Sequence, residues 1–62
     1  MLYLSRLMID NQQLQSFDDL LEVVREAAVA GERFLRFDVK PPYPDTPENW
    51  EDRIESVFNG RL

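Results

Sequence analysis

Apolar positions change their period along the chain, and each change marks an element. In residues 2–9 one strand face would carry Leu2, Leu4, Arg6 and Met8, and the other Tyr3, Ser5, Leu7 and Ile9. Both sets are mostly apolar, which predicts a strand covered on two sides. Residues 10–13 are a polar break headed by turn formers. From Ser16 onward the period becomes helical: Phe17, Leu20, Leu21, Val24 and Ala28 share one face. Ser16 with Asp19 three positions on resembles a capping box, acids occupy the first turn, and Gly31 stands where a left-handed C-terminal cap belongs. Residues 32–40 alternate again, with Leu35, Phe37 and Val39 on one side and Phe34, Arg36, Asp38 and Lys40 on the other, a half-buried strand. Pro41 and Pro42 end it, and residues 41–45 form a stiff connector. A second helix is predicted from Thr46 as cap and Pro47 as first helical residue, or from Asp45 answered by Glu48. Its stripe is Trp50, Ile54, Val57 and Phe58, and Asn59-Gly60 closes it.

The predicted order is β-α-β-α, an α+β or minimal α/β domain covering residues 1–62. It has a two-stranded sheet, parallel by its crossover, with two helices on one face. An antiparallel pair, or a third strand from residues 10–15, is the alternative. A two-stranded sheet leaves both edges open. One face of the first strand, the Tyr3/Leu7/Ile9 set or the Leu2/Leu4/Met8 set, would lie uncovered beside Phe34 and Arg36. This surplus predicts a partner, either a second copy extending the sheet through its strand edges or a different protein, with Tyr3, Leu7, Phe34 and Arg36 on the open face.

Composition narrows the chemistry. At 62 residues with 44% hydrophobic content, the chain is one small globular domain without room for a deep pocket. It contains no cysteine and no histidine, so thiolate chemistry, disulfides and the commonest general base and metal ligand are all missing. Ser5, Ser16, Ser56 and Thr46 therefore have no histidine to activate them, and no enzyme activity is expected. No cofactor is expected either, because Gly31 and Gly60 are the only glycines and make no phosphate loop. The carboxylates form no calcium-loop motif, leaving at most weak surface binding at Glu48, Asp52 and Glu55. No apolar run approaches a membrane span and no signal peptide is recognisable, so the expected location is cytoplasmic.

Charge then changes the picture. Twelve acids face seven bases, a net −5. Residues 16–31 hold four acids and one base, residues 41–62 five acids and two bases, while residues 32–40 are net positive by one. The acids fall on the outer faces of the two helices: Asp18, Asp19, Glu22 and Glu26 on one, Glu48, Glu51, Asp52 and Glu55 on the other. Such faces serve solubility, or they dock on a basic partner. Arg33, Arg36, Lys40 and Arg6 make a small basic patch around Phe34, which Asp38 interrupts. Edge protection is the better account of it than nucleic-acid stacking, and direct nucleic-acid binding is not expected. Pro41-Pro42-Tyr43-Pro44 spells a P-x-x-P but reads as a connector with Tyr43 packed on the core. Trp50 belongs to the apolar stripe of its helix.

The expected function is a non-enzymatic protein-binding module, a regulator or inhibitor. It would set its acidic helix faces on a basic, nucleic-acid-binding site of a larger protein. In size, acidity and cofactor-free composition the chain resembles small accessory or inhibitor proteins, including phage-encoded antagonists of bacterial defence systems. The alternative is a structural homodimerisation domain or accessory subunit whose acids serve only solubility.

Overall fold

The structure, a computed structural model, describes residues 1–60. The elements are β1 (Leu2–Tyr3), α1 (Leu4–Asp10), α2 (Phe17–Val29), β2 (Leu35–Arg36) and α3 (Trp50–Phe58). β1 and β2 pair in parallel with Leu2 opposite Leu35 and Tyr3 opposite Arg36, a mixed α+β domain. The order is thus β-α-α-β-α, and the crossover carries two helices where the sequence pattern suggested one.

The long first strand is the main correction. Only two residues of it are extended, and Leu4–Asp10 is helical. Leu4, Leu7 and Met8 are spaced by three and four, so the same residues that alternate onto two apolar strand faces converge on one helical face. Leu4 and Leu7 are buried there, while Arg6 and Ile9 point outward. Arg6 Nε donates to Asp10 Oδ2 at 3.2 Å, and Asn11 Nδ2 donates to the Leu7 carbonyl at 2.8 Å, holding the last turn. Leu7 is therefore a core residue, not part of an open face. The surplus of apolar strand surface shrinks with it.

α2 follows its sequence signals closely. Ser16 Oγ accepts from the Asp19 N–H at 3.1 Å, and Asp19 Oδ2 accepts from the Gln15 N–H, one residue before the position a capping box would use. At the other end the Gly31 N–H donates to the Ala28 carbonyl and the Glu32 N–H to the Ala27 carbonyl, both at 3.1 Å. This is the paired-bond C-terminal motif that needs a left-handed residue, and Gly31 supplies it at φ 109°.

α3 begins later than the pattern implies. Its cap position is Asn49, and Thr46, Pro47 and Glu48 precede the helix. Thr46 is no cap: its hydroxyl is buried without a hydrogen-bond partner, and its N–H closes a turn onto the Tyr43 carbonyl at 3.1 Å. Asp45 instead caps a different helix, its Oδ1 accepting from the Phe17 N–H of α2 at 2.7 Å. The second strand is likewise cut to two residues, with Leu35 and Phe37 still facing inward and Val39 turned out at 40% exposed.

The core is Leu4 and Leu7 of α1, Phe17, Leu20 and Val24 of α2, and Ile54 of α3. Around it pack Leu2, Leu35, Phe37, Tyr43 and Trp50, the last meeting Phe37 edge-on with ring centroids 5.6 Å apart. Pro41 is fully buried and Tyr43 packs on the core, so the proline segment is a connector, as its composition implied. Among the described residues no helix is long and apolar enough to cross a membrane.

Candidate functional site

Every one of the eight acids singled out from the sequence is exposed. They do not form a single face. α2 is held by three buried side chains and is capped at both ends, so it presents its acids from a rigid support. Asp18, Asp19 and Glu22 border a shallow hollow between α2 and α3, with Leu21 and Val57 in it and Arg25 at its end. Arg25 pairs with Glu22 at 3.1 Å, but both side chains are more than half exposed, so the pair neutralises little. Glu26 lies farther along the same exposed side of the helix.

The α3 acids are arranged differently. Glu48 sits ahead of the helix. Turning about 100° per residue, Glu51 and Glu55 fall on the Phe58 side of α3 and Asp52 points outward. Glu55 lines a second depression, an open groove of about 280 Å³ between β2 and the C-terminal turn of α3. Arg33, Phe34, Arg36, Phe37, Met1 and Phe58 line it too. Phe34 is 66% and Met1 72% exposed. The predicted basic patch is thereby divided. Arg33 and Arg36 flank Phe34 in this groove, Lys40 borders a separate hollow beside the prolines, and Arg6 is paired with Asp10 on α1. Of the expected open-face residues, Tyr3, Phe34 and Arg36 are exposed, and Leu7 is buried. The contribution of Met1, Phe58 and Asn59 to the groove was invisible in the sequence, because it depends on how Met1 and the last turn of α3 pack beside β2.

Among the described residues two groups are shifted from their ordinary values. Asp38 is lowered, first by the Ser5 hydroxyl and then by the Ser5 N–H, which donates to its Oδ1 at 3.1 Å. The contact ties β2's exit to the first turn of α1, where Tyr3 at the cap position makes no side-chain bond of its own. Tyr43 is raised, by burial first and by the nearby charge of Asp19 second. Among the described residues no group of three or more acids gathers as a metal site, so Glu48, Asp52 and Glu55 do not converge.

Two of the shallow features of the described surface are of opposite character. One is a carboxylate-rimmed apolar hollow on α2. The other is a guanidinium-flanked apolar groove along β2. Both are too open to enclose a small molecule as binding cavities do. Compared with protein-family models, curated proteins and solved structures, the chain finds no match.

Proposed function

We propose that this chain is a non-enzymatic protein-binding module that sets the acidic flank of α2 on a basic surface of a larger protein and regulates or blocks it. The observation that carries the reading is the hollow where Asp18, Asp19 and Glu22 of α2, the helix with three buried side chains, surround Leu21 and Val57 of α3. Carboxylates around a small apolar floor match a partner surface of arginines or lysines around an apolar knob. The fixed helix lowers the entropy lost on docking. A basic site of that kind normally receives phosphates, so the concrete mechanism is competition with nucleic acid for the partner's groove. The α3 acids contribute to the encounter through the net field rather than through the contact.

Capture from the native host, on immobilised wild-type chain and two charge-matched variants, tests this. Asp18→Lys/Glu22→Lys should lose proteins that wild type retains, and rising salt should release them. Glu48→Lys/Asp52→Lys, with the same change in net charge away from the hollow, should keep most of the retention. Equal loss in both variants would assign the effect to bulk charge, and retention indifferent to salt and to both variants would refute acidic docking.

A further inference from the structure

We infer that the groove along β2 is a second binding site, one that takes an extended acidic segment of a partner protein as an added strand. The main chain supplies the first argument. The Leu2 N–H donates to the Phe34 carbonyl at 2.9 Å, so Phe34 faces β1. Backbone groups of successive strand residues point to opposite edges, which turns the N–H and carbonyl of Leu35 away from β1. Among the described residues β2 has no strand neighbour on that side, and the groove begins there. An unpaired edge beside an apolar trough is the arrangement used for strand addition.

Charge names the occupant. Arg33 and Arg36 border the groove, and neither makes an ion pair among the described residues, although Glu55 lines the same depression. In a chain of net −5, two free guanidiniums on either side of an exposed phenylalanine favour carboxylates spaced around an apolar residue. The apolar residue would rest on Met1, Phe34 and Phe58. A second copy fits less well: β2 laid against β2 brings the arginines of both copies into one strip, and of the two acids that flank β2, Asp38 is already held by Ser5 and Glu32 belongs to the C-terminal cap of α2. Single-stranded nucleic acid lacks the amide groups this edge would engage. The site is independent of the acidic hollow, so failure of either leaves the other standing.

A displayed library of random strand-length peptides, selected on the full chain and counter-selected on Arg33→Glu/Arg36→Glu, supplies the probe. The best peptide is then titrated into isotopically labelled protein. Selected peptides should carry Asp or Glu around a central apolar residue. Amide shifts should concentrate at Leu2, residues 33–37 and Phe58, and the Leu35 amide should gain protection from exchange. Affinity should fall at least about tenfold in Arg33→Gln/Arg36→Gln, as expected for losing charge-assisted bonds. Both arginines are exposed, so an unchanged circular dichroism spectrum will show that the variant is folded. No enrichment, no acidic preference, shifts centred on α2, or equal affinity in the variant would each overturn the site. So would a self-associated dimer that the peptide fails to dissociate, which would give the edge to a second copy.

Discussion

Asp38 and Asp45 each give a carboxylate oxygen to the first turn of a helix far from them in sequence. Asp38 takes the Ser5 N–H and hydroxyl at the start of α1, 33 residues away, and Asp45 takes the Phe17 N–H at the start of α2, 28 residues away. Each satisfies a donor that a helix start leaves open, with the favourable sign for the helix dipole. Local signals such as Ser16 with Asp19 are legible in a sequence because both partners lie within one turn. The roles of Asp38 and Asp45 are not, since nothing near either residue specifies a partner about thirty positions upstream. Asp38 also makes this device sensitive to acid. Its folded-state pKa lies below the unfolded value, so the folded chain holds the carboxylate ionised where the unfolded chain has begun to take up protons. The associated stability is present above the ordinary carboxylate range and disappears as pH falls through the lowered folded value. Denaturant titrations from neutral pH down into the acid range should show that loss in wild type and a smaller one in Asp38→Asn, which keeps an acceptor but removes the titration. Identical acid profiles would mean that the Ser5 contact does not contribute to stability.

At the scale of elements, α2 was readable to its caps and β2 to the facing of Leu35 and Phe37, whereas α1 was misread as a strand. The cause is length. Over seven residues few positions test the period: a spacing of two takes Leu4 and Met8 but sends Leu7 to the opposite face, whereas three-to-four takes all three. Apolar residues on both faces of the supposed strand were the sign of a wrong period, since the helical period gathers the same leucines on one side. The start of α3 was misplaced for another reason: Thr46-Pro47 is a good local cap, but Asp45 is drawn to α2 and the segment turns at Tyr43 before the helix can begin. Ile9 distinguishes the two readings of the first element by experiment. It lies on α1 and is 60% exposed, so little packing depends on it. A β-branched residue there is a modest handicap to a helix and an advantage to a strand. Ile9→Ala should therefore leave stability unchanged or raise it by roughly 0.2–0.5 kcal/mol, measured by urea unfolding. A loss approaching 1 kcal/mol would favour the extended form.

For the whole molecule, the helical N-terminus changes what the surface has to explain. A fully extended first strand would have left an apolar face that demanded a partner. With Leu4 and Leu7 buried, six side chains from three helices form the core, and of the exposed large apolar residues Met1 and Phe34 line the groove beside β2, while Ile9 stands on α1 and Val29 at the end of α2. The acids that looked like two equivalent faces divide as well, because α3 turns Glu55 toward the groove while Asp18, Asp19 and Glu22 stay with α2. Segregation of charge by element was visible in the sequence, but its division into a hollow and a groove required α3 to pack against α2 on one side and lie beside β2 on the other. So small a core also limits how binding can be tested. At about 0.05–0.15 kcal/mol per residue, a chain of this length has roughly 3–9 kcal/mol of stability in total. Leu20 is fully buried at the centre of that core, and Leu20→Ala should cost about 2–5 kcal/mol, enough to populate the unfolded state in buffer at the lower end of the range. Asp18→Lys/Glu22→Lys changes only exposed positions, and losing a favourable charge in the first turn of α2 and the Arg25 contact should cost no more than about 1 kcal/mol per site. Parallel urea curves should show the first variant with a sharply reduced midpoint and the second closer to wild type. Under those conditions, binding lost in the lysine variant belongs to the surface of α2, whereas a lysine variant as unstable as Leu20→Ala would show that the acids hold the fold rather than a partner.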